Sequence, residues 1–591
     1  LVLVPWLVLG GGHALADERA SAPEITDPAD PKFITAQTRK MGGVLPPEQQ
    51  ALDLRHLDLS TQVFPDEKRI ASTAVLTLRV AKPLTELVLD LYPKFTLDRI
   101  EVDGRRIPEG RFSNPEGQLR IRLPATAAAS STLKVKISFS GTPPLARRPP
   151  WEGGVTWTTT PDGKHPWIDT SLWGGGCDLL FPCIDHPTKK AALLDLHYTV
   201  PRGLMAPGNG KLISRVDTKG WTTWNWRARS VHTYGPVLDV GPYKVLEGDY
   251  PSRFGNVIPM RLYYLPGEEE KAAALFSEFP RTLDFWESRI GPYPWADQKM
   301  GVIRVPYSGL ENQTLVGHSN DFPKTPFGFD WLMNHEFAHE WFGNQLSVSN
   351  YDDLWLHEGF GSYAQPLLAG HFAGRIDYYA YLKEQRTGIR NLEPLVSGRE
   401  RHEKEVYADA TGPRGDIYAK GSWVVHTLRE LIGDEAFFES VRILVYGRPD
   451  PRPGNFQPRF ATTQDYLKIV NDVTGRDLKW FFDVYFYRAA LPKLLATHED
   501  NMLELRWEAP DGLPFPMPLD VRVDGRMVTL PMTDGTGETA APPRAAITLD
   551  PFSKILMHSD AIDAFQLWRA AQRAIETSGP DVAPSPAPPP R

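Results

Sequence analysis

The chain has 591 residues, of which 41% are hydrophobic and 23% charged, with 17 Trp and a formal net charge of -8. A single core stops growing at roughly 250 to 300 residues, so this length requires several domains, and the composition is that of an ordinary folded protein rather than a fibrous or disordered one. So small a net charge, with no basic stripe, argues against nucleic acid as a partner.

The first twenty residues read LVLVPWLVLGGGHALADERA. An apolar run followed by Ala14-Leu15-Ala16 has the form of a secretory signal with an A-x-A cleavage site, here without its basic start or an initiating Met; a buried N-terminal strand is the alternative. Residues 1–16 are expected to be that signal and residues 17–48 a leader, which makes the mature protein secreted or periplasmic. No later run reaches about 18 uninterrupted apolar residues, so no membrane span is expected.

From residue 49 to 255 the hydrophobic period is two. Leu76, Leu78 and Val80 alternate with Thr77 and Arg79, and Gly, Pro and Asp punctuate the runs, which predicts antiparallel β-structure. Two cysteines, Cys177 and Cys183, lie in this part. Either a disulfide closing a short loop or two buried thiols fits them. From 256 to 490 the spacing becomes helical, with Asp330 and Asp416 as expected N-caps and Gly343 and Gly433 as C-terminal stops. Alternation returns over 491–558, where Asp524-Gly525 signals a hairpin, and predicts a small β-sandwich. One amphipathic helix is expected over 559–576, capped by Ser559, before a Pro-rich tail at 577–591 expected to be disordered. No internal repeat is visible.

The stretch WLMNHEFAHEWFGN carries the chemistry. His335 and His339 are four apart, so on a helix both imidazoles project from one face. Glu336 is placed to face a water on the same ion, which is the HExxH arrangement of zinc peptidases. Catalytic zinc takes three protein ligands and leaves one position open. Glu358, nineteen residues past His339 in WLHEGFGSYAQ, is the candidate third ligand. Its neighbour His357 should point elsewhere, because adjacent helical residues diverge by about 100°. A helix histidine pair with surface glutamates is the bland alternative. Against it, Trp331, Leu332, Phe337, Ala338, Trp341 and Phe342 make this helix apolar almost all round, and burying such polar groups without a partner costs roughly 2 to 7 kcal/mol each.

With HEFAH and Glu358 in place, the sequence resembles the aminopeptidase N family of zinc metallopeptidases. SGLENQT at 308–314 is similar to that family's Gly-x-Met-Glu-Asn loop, IYAKG at 417–421 resembles its Tyr-x-Lys-Gly helix start, and FPCIDHPTKKA at 181–191 resembles a signature of its N-terminal domain. The resemblance covers roughly residues 50–490, with the motifs in order. It implies a multidomain α+β fold: an antiparallel β saddle, a thermolysin-like mainly helical catalytic domain, and a small C-terminal β-sandwich followed by one helix. It implies a zinc aminopeptidase acting on peptides with a free N-terminus, in which His335, His339 and Glu358 bind zinc and Glu336 is the general base. Glu311, in a loop that Gly309 lets approach substrate, would bind the α-amino group, and Tyr418 would stabilise the oxyanion.

The chain also departs from that pattern. Ser308 stands for the loop's first glycine and Leu310 for its Met. Where family members carry a Gln before FPC, this chain reads SLWGGGCDLL with Trp173, so the amino-terminal pocket should differ in shape. Only about thirty residues follow the β-sandwich, where many relatives have a helical-repeat domain over the site. A more open cleft, or one covered by a second subunit, is the expectation. A zinc endopeptidase and a catalytically silent peptide-binding protein are the rival readings.

Overall fold

The computed structural model describes residues 42–318, 325–407, 411–454 and 456–578. The expected signal and most of the expected leader and tail lie outside them. Among the described residues no helix is long and apolar enough to cross a membrane.

The N-terminal part is built on an eight-stranded sheet. From one edge its strands are Lys211–Thr218, Trp221–His232, Lys190–Pro201, Leu52–Phe64, Arg69–Val80, Thr132–Gly141, Thr96–Val102 and Arg105–Arg106. Alternation sets the register: Leu76, Leu78 and Val80 are buried while Thr77 and Arg79 are more exposed, because successive side chains point to opposite faces. The sheet is antiparallel except for one pair, Leu52–Phe64 beside Lys190–Pro201, which runs parallel with His56 opposite Leu193. A smaller sheet of Leu84–Asp90, Gln118–Ala127 and Phe112–Ser113 packs with it. Cys177 and Cys183 form a disulfide, which resolves the choice their spacing left open.

The central part is helical, but it contains a five-stranded sheet that helical spacing did not announce. Its order is Lys244–Pro251, Val257–Tyr264, Met300–Arg304, Val316–His318 and Gly309–Leu310. Three of these strands have five residues or fewer and are buried at every position, so they offer no alternation to read. The first two form a hairpin across residue 255, which the expected domain boundary would divide. The sheet matters because Gly309–Leu310 is its edge strand, antiparallel to Val316–His318, and Glu311 follows immediately.

Beyond residue 492 two three-stranded sheets face each other, Lys493–Glu499 with Met502–Glu508 and Thr536–Ala540, and Arg526–Leu530 with Leu519–Val523 and Ile547–Leu549. Helix Asp560–Ser578 follows.

Candidate active site

Helix Trp331–Ala338 begins as its sequence suggests. The Asp330 side chain accepts from the Met333 N–H at 2.7 Å, a cap that contributes about 0.5–2 kcal/mol. Its end differs. The α-helix stops at Ala338, five residues short of Gly343, with His339 still in right-handed conformation. The Phe342 carbonyl turns back to accept a hydrogen bond from His339 Nδ1 at 2.9 Å. A carbonyl cannot donate, so Nδ1 carries the proton and Nε2 keeps its lone pair. The second expected cap also differs. Asp416 lies inside the first turn of helix Asp416–Ile432, where its carboxylate accepts from the backbone of Arg390 and Asn391 instead.

His335, His339 and Glu358 meet as a triangle. The two Nε2 atoms are 3.3 Å apart, and Glu358 Oε2 lies 3.6 Å from His335 Nε2 and 3.5 Å from His339 Nε2. All three residues are buried, and Oε2 has no hydrogen-bond partner. Donor atoms held by a tetrahedral zinc at about 2.0–2.2 Å stand about 3.3–3.6 Å from one another. The observed edges fall in that range. Two imidazoles and one carboxylate also suit zinc by donor type, so the residues present fit the ion. His357 faces away, its Nε2 accepting from the Val348 N–H at 3.0 Å.

The surrounding electrostatics point the same way. Burial alone would push the Glu358 carboxyl up, but the imidazoles and Tyr407 outweigh it and hold it at about 2. Glu336 is pushed well above the carboxylate range, first by burial and then by the charges of Glu311 and Glu358. Burial raises Glu311 too, opposed by His339 and reinforced by Glu358. Three buried carboxyls so close together disfavour one another's ionised forms, a balance that a bound divalent cation would reverse.

Glu311, Glu336 and His339 also present ligand-type atoms within 4.8 Å of one another. Tyr234 donates to Glu311 Oε1 at 3.3 Å. Glu340 and Asn344 tie the Glu311 loop to the histidine helix: the Thr314 N–H donates to Glu340 Oε1 at 2.6 Å, and Asn344 Nδ2 donates to the Glu311 carbonyl at 3.0 Å. A Cβ at Gly309 would stand 2.6 Å from Glu336 Oε1 and 2.9 Å from Leu332 Cδ1, so a larger residue here would displace the Glu336 carboxylate.

Tyr418 reaches the centre through a close helix crossing. A Cβ on Gly421 would lie 2.9 Å from the Gly359 Cα, so paired glycines bring helix Asp416–Ile432 against helix Trp355–Phe372. The Tyr418 ring consequently sits 6.0 Å from that of His335. The seven residues singled out from sequence, Gly309, Glu311, His335, Glu336, His339, Glu358 and Tyr418, are thus gathered in one cluster.

Others were not singled out. Gly361 makes room for both imidazoles, since a Cβ there would meet His339 Cε1 at 3.1 Å and His335 Cε1 at 3.2 Å. Its place one turn past Glu358 was a readable signal. Glu340, next to HExxH, was readable as a buried acid. Tyr234 and Tyr407 belong to no motif. Trp173 packs edge-on against Tyr234, Tyr351 and Tyr407, with ring centroids 4.7, 5.7 and 6.3 Å away.

The chain is similar to several known metallopeptidases. Residues 329–485 match the Peptidase family M1 domain. The chain is 21% identical over 379 residues to a leucyl aminopeptidase of Saccharolobus solfataricus, covering 59% of this chain and 45% of that protein. It is 22% identical over 492 residues to the glutamyl aminopeptidase of Rattus norvegicus, covering 76% and 49%. The chain thus spans about half the length of the curated relatives it matches. Among solved structures, an M1 zinc metallopeptidase from Deinococcus radiodurans superposes with a TM-score of 0.61 at 24% identity, covering 75% of this chain and 95% of that one. A two-domain M1 zinc metallopeptidase bound to L-tryptophan gives 0.63 at 25% identity, covering 75% and 96%.

Proposed function

We propose, on the match of residues 329–485 to the Peptidase family M1 domain, that the chain is a member of the aminopeptidase N family of zinc metallopeptidases and an exported zinc aminopeptidase removing N-terminal residues from peptides. The observation that carries the reading is the His335, His339 and Glu358 triangle with two further buried carboxylates beside it, Glu336 and Glu311.

When bound to that triangle, a zinc ion supplies Lewis acidity that lowers the pKa of an adjacent water from about 15.7 to about 7. Glu336 is the general base: it takes the proton of the attacking water and returns it to the departing amine. Glu311 receives the substrate's α-ammonium through a charge-assisted hydrogen bond. Tyr418 donates its hydroxyl to the oxyanion, a contact whose loss typically costs about 100- to 1,000-fold in rate. Export is supported by the A-x-A pattern at residues 14–16 and by the Cys177–Cys183 disulfide, a bond that persists in oxidising compartments.

Glu311 separates an exopeptidase from an endopeptidase with the same metal site. Cleavage of an aminoacyl-coumarin should stop when its α-amine is acetylated, and Glu311→Ala should lose activity on the free amine while retaining zinc. Equal rates on the free and acetylated substrates would favour the endopeptidase. No turnover of either, with zinc bound, would favour a silent binding protein.

A further inference from the structure

A phenol has one proton to donate, and that constrains the hydroxyls beside the metal triangle. Tyr407 Oη lies 2.7 Å from Glu358 Oε1 and 3.1 Å from Tyr418 Oη. An ionised carboxylate can only accept, so the Tyr407 proton goes to Oε1. Tyr418 must then be the donor in the second bond. The result is a directed chain from the Tyr418 hydroxyl to Tyr407 to Glu358.

We propose that Tyr407 is a positioning residue for this site, fixing the Glu358 carboxylate and parking the Tyr418 proton. With Oε1 held by the phenol, Oε2 is the atom turned toward the imidazoles, as the 3.5 and 3.6 Å separations record. Donating its hydrogen bond to Tyr407 Oη, the Tyr418 hydroxyl is held at the site until a developing oxyanion attracts it more strongly. Trp173 supports the arrangement, packing edge-on against the Tyr407 ring at 80° between planes. Helix Glu403–Tyr407 therefore completes the metal site although it supplies no ligand.

This inference rests on the metalloenzyme reading above, and the test keeps the two apart. Tyr407→Phe removes the hydroxyl and retains the ring against Trp173. Competition with a chromophoric chelator should show zinc bound about 10- to 100-fold more weakly by Tyr407→Phe than by the wild type. Tyr418→Phe should bind zinc as the wild type does, because it lies one hydrogen bond further from Glu358. Equal zinc affinity in Tyr407→Phe and wild type would overturn the positioning role and leave the enzyme proposal standing. Weakened zinc binding accompanied by a fall of more than a few degrees in the melting temperature of the metal-free protein would also overturn it, by assigning the effect to packing. A wild-type protein that binds no zinc would overturn both.

Discussion

In the proposed mechanism Glu336 is the residue on which the chemistry turns, and its surroundings separate its role from that of the proposed ligands. It stands outside the triangle of Nε2 and Oε2 atoms, buried against Gly309 and flanked by the charges of Glu311 and Glu358. Glu336→Gln keeps the shape and removes the proton acceptor. The variant should retain one zinc by elemental analysis and lose at least about 10²–10⁴-fold in kcat, the contribution of a positioned acid–base group. Loss of the metal, or retained turnover, would contradict the role given to it. At this scale the sequence was informative wherever chemistry and spacing coincide. Two histidines one helical turn apart declare a shared face, and a glutamate between them declares its partner. Tyr407 and Tyr234 were illegible because each acts across a tertiary contact: Tyr407 on Glu358, 49 positions away, and Tyr234 on Glu311, 77 positions away.

Elements carry these residues to one point, and the crossing of helices Trp355–Phe372 and Asp416–Ile432 is the tightest joint among them. It depends on two glycines whose backbones nearly touch, so a side chain there meets backbone, which cannot rotate aside. Gly421→Val should lower stability by roughly 1–3 kcal/mol, the usual range for overpacking. It should also reduce kcat by drawing Tyr418 away from the metal triangle. A calorimetric scan beside a kinetic assay reads both effects, and an unchanged melting temperature would mean that the helices have slack. The glycines of IYAKG and WLHEG were visible in sequence, but nothing local showed that they face each other. One start and one stop were read correctly, Asp330 as a cap and Gly433 as the end of helix Asp416–Ile432, while Asp416 and Gly343 do not take the places expected of them. Asp330 announces its cap by residue type, whereas the end at Ala338 is set by the Phe342 carbonyl turning onto His339. The short strands Met300–Arg304, Gly309–Leu310 and Val316–His318 were missed because complete burial erases the period of two.

Over the whole molecule, sheet and helices divide the labour. The edge strand of the five-stranded sheet leads into Glu311, one helix and its C-cap supply His335 and His339, the next helix supplies Glu358, and the third supplies Tyr418. The N-terminal part contributes Trp173 and Tyr234 from beside its large sheet, and Tyr234 donates to Glu311. The change of hydrophobic period from two to 3.6 made that order of β and helical parts readable. It could not show the parallel pairing of Leu52–Phe64 with Lys190–Pro201, nor choose between thiols and a disulfide, because periodicity fixes which face a residue occupies and not which neighbour it meets. What the parts would share in the proposed function is one cation, and it can be observed directly. Crystals grown with zinc and measured on both sides of its absorption edge should give one anomalous peak within about 2.0–2.2 Å of His335 Nε2, His339 Nε2 and Glu358 Oε2. A density map with no peak there, or with zinc bound elsewhere and these side chains turned apart, would contradict the account.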